Sequence, residues 1–332
     1  MRVLVTGASG LLGRAVVEQV RGAGHEVRTF QRRPSGLRGV QDVRGSITVP
    51  ADVERAVVGT DAVVHLAAKV SLAGDPADFA RVNVGGTANL LAAALRHDVA
   101  RFVQVSSPSV AHTGLSIMGD GALPADPVHA RGDYARSKAE AELLALGADS
   151  ASLPVVAVRP HIVWGPGDTQ LVARIVERAR AGRLPLLGHG TALIDTTYVD
   201  NAASAIAAAL ERLGETDADG RPGGAVHGRA YVVTNGEPRP VAEMIAGICA
   251  AMGVPAPRWR VPAALARGAG GAVETLWRLR PGADEPPMTR FLAEQLSTAH
   301  WFDQRRTRAD LRWQPTVSLD DGLARLAASA RG

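Results

Sequence analysis

The stretch VLVTGASGLLG, residues 3–13, constrains this chain more than any other. A β-branched run begins at residue 3 and stops at Gly7, and an amphipathic helical pattern opens after Gly10. Glycines then stand at 7, 10 and 13. Gly7 permits a tight turn, Gly10 lets a phosphate approach the backbone, and Gly13 lets the helix pack closely on the strand. Leu11 and Leu12 open the helix, whose unpaired N–H groups and positive dipole end suit a pyrophosphate. Strand-to-helix turns favour glycine in any case, so the trio gains its meaning from sitting between a strand and a helix. The context predicts dinucleotide binding.

The alternation continues. Residues 26–30, 41–46, 62–68, 101–107 and 155–160 read as strands, most of them apolar throughout, as strands buried on both faces are. Helical patterns lie near 11–23, 50–58, 76–97 and 133–147. This order predicts an α/β fold, a doubly wound parallel sheet of the Rossmann type with right-handed crossovers. After about residue 165 helical patterns dominate, in LVARIVERARAG, NAASAIAAALERLG and VAEMIAGICAAMG. We therefore divide the chain into a dinucleotide-binding domain, 1–165, and a smaller, mostly helical C-terminal substrate region, 166–332. The one clear strand of that region, 230–235, is a candidate to return to the main sheet.

Composition narrows the function. Hydrophobic residues at 46% and charged residues at 21% are globular proportions. The net charge is +4, and the densest basic runs, ERARAGR and DQRRTRADLR, alternate with acids and apolar residues as solvated helix faces do. Basic and aromatic residues do not interleave, so nucleic acid is not the expected partner. The strand that starts at residue 3 leaves no room for a signal peptide, and a lone Cys249 in an apolar helical run fits a reducing, cytoplasmic setting. No apolar stretch reaches transmembrane length. Residues 262–280 come nearest, broken by Arg267 and Glu274; they read as a packed or amphipathic helix, with weak membrane-surface association as the alternative. Nine histidines and one cysteine show no metal-ligand spacing, so no metal is expected.

The chain has 35 arginines and only two lysines, Lys69 and Lys138. Tyr134 and Lys138 are four apart in DYARSKAEAELL and share one helix face. A phenol ordinarily titrates near pH 10, and a neighbouring ammonium is expected to favour its anion and make it a general acid/base. Lys69 follows HLAA at the carboxyl end of the fourth strand, where open sheets bind their ligands. Ser106 and Ser107 emerge at the same edge, and by spacing alone either hydroxyl can polarise a substrate carbonyl. The second strand runs into RTFQRRPS, without the acid that an NAD site places on the ribose. Arg32 and Arg33 stand there instead; they are expected to favour a 2′-phosphate, hence NADPH over NADH, with a pair of solvated loop arginines as the alternative.

Taken in order, TGASGLLG, HLAA, VSS and YARSK resemble the extended short-chain dehydrogenase/reductases over essentially the whole chain. RPHIVWGPGDTQLV, LIDTTYVDNAA, TNGEP and MTRFLAEQLSTAHWF are similar to the 3β-hydroxysteroid dehydrogenase-like branch, most of all to bacterial 2-alkyl-3-oxoalkanoate reductases. The resemblance implies a catalytic Ser107, Tyr134 and Lys138, with cofactor contacts from the glycine turn, from Leu66, Ala67, Ala68 and Lys69, and from Pro160. Ser46 and Ile47 stand where the family has an Asp and an aliphatic residue at the adenine. His161 and Trp164 fall near the junction of the two regions as candidate substrate contacts, the histidine competing with an ordinary packed role. Asp195 is equally ambiguous, and Asp200 reads as a helix N-cap. The implied activity is reduction of a 2-alkyl-3-oxo acid bearing an apolar chain, in olefin or β-lactone-type lipid biosynthesis, by a homodimer. The competing readings are a 3β-hydroxysteroid or sterol-carboxylate dehydrogenase, a nucleotide-sugar epimerase, and a cofactor sensor without catalysis.

Overall fold

Burial on both faces makes the apolar runs of the first half into one parallel sheet. In the computed structural model, which describes residues 1–331 apart from 72–73, 217–219, 221 and 279–289, the sheet has seven strands. They are β1 (Arg2–Thr6), β2 (Glu26–Gln31), β3 (Gln41–Arg44), β4 (Ala62–His65), β5 (Arg101–Val105), β6 (Val155–Pro160) and β7 (Arg229–Val233). Their spatial order is β7-β6-β5-β4-β1-β2-β3, all parallel, so the direction of winding reverses between β4 and β1. Ligands of such sheets bind beyond the strand ends at that reversal.

Helices cover both faces. Val3, Val5, Val103, Val105, Val156 and Val158 point to one side, against α1 (Leu11–Gly22) and α5 (Val199–Arg212). Leu4, Val63, Phe102 and Val155 point to the other, against α2 (Pro50–Val57), α3 (Gly86–Arg96) and α4 (Gly132–Gly147). The expected helix over 76–97 is not uniform. A turn at Pro76–Phe79 passes through a π-helical stretch, Ala80–Gly85, before α3 begins. Such stretches widen the helix and often accompany functional positions.

The sheet does not end at residue 165. β7 lies beside β6, with Tyr231 opposite Val158, and α5 packs on α1. The cause is composition: α5 carries Ala202, Ala205, Ile206, Ala209 and Leu210 on one face, narrow enough to lie flat on α1. A second lobe closes around Trp164, Ile175, Met244, Ile248, Cys249, Leu319 and Leu326. Asp200 does not cap α5: Tyr198 holds the N-cap place, and Asp200 lies in the first turn, paired with Arg325 at 3.1 Å. Among the described residues no helix is long and apolar enough to cross a membrane. Leu279 and Arg280, at the end of the apolar segment read from the sequence, and Met288 and Thr289 lie outside the described residues.

Candidate active site

The glycine turn is held from behind and left open in front. Gly7 has φ +73°, donates its N–H to Phe30 O at 3.0 Å, and takes the Gly10 N–H on its own carbonyl at 3.2 Å. A Cβ on Gly7 would lie 2.9 Å from Ala67 N, and one on Gly13 only 2.3 Å from Gly7 O. Turn, helix and the loop after β4 are therefore packed backbone against backbone. A Cβ on Gly10 would meet nothing nearer than Gly7 O at 3.6 Å, and Gly10 is exposed at the N-cap of α1, whose first turn holds no acid. These are the requirements of a pyrophosphate cradle. Leu11 and Leu12 are half-buried and pack their side chains toward the second lobe, leaving their backbone to the turn.

At the end of β2, Arg32 and Arg33 are exposed, and neither has an ion pair among the described residues. The nearest carboxylate on β3, Asp42, accepts from Thr29 Oγ1 at 2.7 Å, from Ser35 N at 3.0 Å and from Gln31 Nε2, so its acceptor capacity serves the β2–β3 connection. Ser46 exchanges a hydrogen bond with Thr48 (Oγ to Oγ1, 2.8 Å). Ile47 is buried against Gly86, at the start of α3.

Behind the cradle runs a buried polar chain whose donor directions can be deduced. Thr87 Oγ1 donates to Asn83 O at 2.6 Å, so its oxygen is left to accept from His65 Nε2 at 3.1 Å. His65 Nδ1 is then bare and accepts from Thr6 Oγ1 at 2.8 Å, while that hydroxyl takes the Ala67 N–H at 3.0 Å. Burial pulls His65 down to about 3, with the Lys138 charge acting in the same direction, so the ring is neutral at physiological pH. Asn83, from the π-helical stretch, accepts from Lys69 N at 2.7 Å and donates to Lys69 O at 3.2 Å and to Ser137 Oγ at 2.9 Å. It thereby ties the Leu66–Lys69 loop to α4. The sequence reading passed over Thr6, His65, Asn83 and Thr87. Their signal was a polar residue ending an apolar strand, and an Asn/Thr pair four apart in an apolar helical run.

On α4, Lys138 is buried, 4% exposed, and donates from Nζ to Val105 O at 2.6 Å. Tyr134 is half-buried one turn earlier. Ser107 lies near enough to the phenol to favour its anion, and it caps the short helical turn Pro108–Ala111 by accepting from Ser109 N at 3.3 Å; it also accepts from Ser109 Oγ at 3.0 Å. Ser106 Oγ is buried without a hydrogen-bond partner. The structure thus brings Ser107, not Ser106, to Tyr134.

The electrostatics differ from the expectation that Lys138 lowers the phenol. Burial pushes Tyr134 up to about 12, against the Ser107 hydrogen bond, which pulls it down. Burial also pulls Lys138 down to about 8, with Glu142 opposing. The reason is geometric: the ammonium points into the sheet, at the Val105 carbonyl. Lys69 Nζ is likewise engaged, 3.1 Å from Asp78 and 4.7 Å from the centre of the Phe79 ring.

The two candidate substrate contacts are occupied by packing. His161, next to the buried Pro160, donates from Nδ1 to Asp195 O at 2.8 Å, stacks edge-on against His300 and Phe302, and is pulled by burial to about 4. A neutral, buried ring offers no cation to a carboxylate. Trp164 is fully buried, bonded to Thr196 Oγ1 at 3.0 Å and edge-on to Tyr198. Asp195 is buried, accepts from Thr234 Oγ1, Gly236 N and Glu237 N, and is pushed up by burial to about 6.

Known proteins resemble this arrangement along its full length. The sequence pattern of the NAD dependent epimerase/dehydratase family matches residues 3–221. The chain is 43% identical to a 2-alkyl-3-oxoalkanoate reductase of Stenotrophomonas maltophilia over 99% of both chains. It is 33% identical to a 3-beta-hydroxysteroid dehydrogenase of Mycolicibacterium neoaurum, over 97% of this chain and 89% of that one. Among solved structures, MoeE5 in complex with UDP-glucose and NAD superposes with a TM-score of 0.74 at 23% identity, covering 100% of this chain and 99% of the other.

Proposed function

The chain belongs to the NAD dependent epimerase/dehydratase family and is an NAD(P)-dependent oxidoreductase of the extended short-chain type; from that premise we propose that it reduces the 3-keto group of a 2-alkyl-3-oxo acid to the 3-hydroxy acid with NADPH. What supports this reading is the placement of Tyr134 and Lys138 one turn apart on α4, with Ser107 near the phenol and the Lys138 ammonium on the last carbonyl of β5. The full-length likeness to a 2-alkyl-3-oxoalkanoate reductase supports the substrate class; olefin or β-lactone-type lipid biosynthesis is the setting we propose for it.

The bound dinucleotide supplies the hydride. The residues present fit it: the Gly7–Gly13 turn and the α1 N-terminus would hold the pyrophosphate, Arg32 and Arg33 a 2′-phosphate, and the Leu66–Lys69 loop the inner ribose side. The rest falls to the chain's own side chains. A phenol raised to about 12 is fully protonated at neutral pH, which is the form a reductase needs in order to give a proton to the developing alkoxide. Ser107 holds a hydroxyl at the same oxygen, set in place by its bonds to Ser109. Lys138 stands one helical turn from the phenol with its ammonium on the Val105 carbonyl, and we assign it the charge that the phenolate left behind calls for.

The test is turnover of a 2-alkyl-3-keto acid and a 3-ketosteroid by wild type and Tyr134→Phe, with cofactor binding measured separately. Wild type is expected to prefer the keto acid, and the variant to lose about 100-fold or more in kcat while binding the dinucleotide as before. Near-normal turnover by Tyr134→Phe refutes the mechanism, and preference for the steroid refutes the substrate.

A further inference from the structure

Tyr134, Lys138 and Glu142 stand at i, i+4 and i+8 on α4 and therefore lie along one line of the helix. The third member has no part in the chemistry described above, yet it is buried as deeply as the second. Glu142 is 1% exposed, and both its oxygens are taken by one guanidinium: Arg159 Nε donates to Oε2 at 2.8 Å, and Nη2 to Oε1. Arg159, also 1% exposed, uses Nη1 to reach Leu123 O at 2.6 Å.

Three pieces of the site meet at this pair. Arg159 is the residue before Pro160 at the end of β6, and β6 runs beside β5, with Val158 opposite Val105. Val105 is the residue whose carbonyl receives the Lys138 ammonium. Leu123 belongs to the segment that leads from the Ser107 turn to the start of α4. One buried ion pair thus links the helix that carries the phenol and the ammonium, the strand beneath them, and the segment that brings the serine. A buried pair adds little to stability over well-packed apolar side chains of the same volume, so its presence points to a different role.

Charge supplies that role. The groups facing Lys138 from its neighbours are His65 from β4, neutral under burial, and Tyr134 and Glu142 from its own helix, with Arg159 of β6 bound to Glu142. Glu142 is the anion of this set, and it works against the burial that drives Lys138 to lose its proton.

We propose that Glu142, clamped by Arg159, is the positioning residue of this active site: it sets the rotation of α4 on which Tyr134 and Lys138 stand, and it is the anion one turn from the Lys138 ammonium. The proposal rests on the reading that Tyr134 and Lys138 carry the reduction. Lys138 must be charged to steady the phenolate, so activity requires a pH below its own titration and falls as pH rises through it.

The experiment compares wild type with Glu142→Gln, Glu142→Asp and the paired replacement Glu142→Leu with Arg159→Met, and runs Tyr134→Phe beside them. Melting temperature, NADPH affinity, kcat, KM and the pH profile of kcat are measured. Glu142→Gln is expected to lose about 10-fold or more in kcat at pH 8, to bind NADPH as wild type does, and to have its basic limb displaced downward by about one pH unit. Glu142→Asp keeps the charge and is expected to restore the limb while kcat stays reduced. The apolar pair is expected to melt at or above the wild-type temperature and still turn over slowly, which a purely structural role does not allow. Wild-type kcat and limb in Glu142→Gln or in the apolar pair overturn the proposal. So does a loss of kcat that follows melting temperature and vanishes when the assay is cooled. If neither of those variants folds, Glu142→Asp decides, and wild-type kcat in it is the refuting result. Turnover surviving in Tyr134→Phe would instead remove the underlying chemical reading, so the two failures are told apart.

Discussion

Gly13→Ala puts the glycine cradle to its most direct test. The added methyl would stand 2.3 Å from Gly7 O, 2.8 Å from Ala8 Cα and 3.0 Å from Gly7 C, all of them backbone atoms. Carbon needs roughly 3.4 Å or more from such neighbours, so the turn must retreat from α1 by roughly 1 Å. It has little freedom to do so, because Gly7 is pinned to Phe30 O and a Cβ's reach from Ala67 N. Overpacking of this kind costs about 1–3 kcal/mol, and the rigid surroundings place Gly13 toward the upper end. Since the displaced atoms are those that would hold the pyrophosphate, the same strain should appear in binding, as NADPH affinity weaker by about 10- to 100-fold. Gly22→Ala, at the other end of the same helix, is the control. Nothing lies within 4 Å of its Cβ, and alanine should stabilise the helix by up to about 1 kcal/mol. Titration calorimetry and thermal melts read both quantities. NADPH affinity in Gly13→Ala within about two-fold of wild type, with an unchanged melt, would refute the argument that this contact shapes the cradle.

Two further outcomes follow from charge. Arg32→Ala should lower the ratio of NADPH to NADH affinity by about 10-fold or more through loss of a charged phosphate contact, and an unchanged ratio in the two titrations rules that contact out. Thermal stability should fall as pH is lowered from 7 to 5. His65, His161 and His300 are held by burial at about 3, about 4 and about 2, so below the ordinary histidine value of about 6.5 the unfolded chain binds protons that the folded chain refuses. Asp195, raised to about 6, opposes them by binding a proton only when folded, which leaves a net uptake near two on unfolding and a slope of up to about 3 kcal/mol per pH unit around pH 5. A melting temperature that stays flat or rises over that range contradicts the assignment of neutral, buried rings.

What the sequence made legible was local. The turn at residues 7–13 and the spacing of Tyr134 and Lys138 depend on neighbours within one loop or one helical turn, and such patterns survive in a linear reading. The strands of the first half were visible because burial on both faces leaves a continuous apolar run. Illegible features depended on partners far apart in the chain. Asn83 gains its role only when Lys69, 14 residues away, and Ser137, 54 away, come to it. Arg159 and Glu142 read as unrelated charges until β6 and α4 lie together. His161 and Trp164 stood at the right place in the order of elements, but a position at a strand end does not fix which way a side chain turns, and both turn into packing. The direction of the Tyr134 shift was missed for a related reason: spacing places an ammonium near a phenol but says nothing of burial, which dominates.

The lysine at 138 has a physical account. A buried cation that reaches from α4 to a single carbonyl of β5 suits a lysine, whose stem carries a compact head to 2.6 Å from Val105 O. Arginine brings a planar fork of five donors, of which one carbonyl satisfies few, and the remainder would be left unpaired in the core. Where the chain does bury an arginine at this level, Arg159, it surrounds the fork with a carboxylate and a second carbonyl. The choice carries a consequence that arginine would avoid. A lysine pulled by burial to about 8 sits close to losing its charge at working pH, while an arginine stays charged throughout. Glu142 one turn further on offsets that tendency, so the lysine and the buried ion pair belong to one electrostatic arrangement: the first fits the space, and the second keeps it charged.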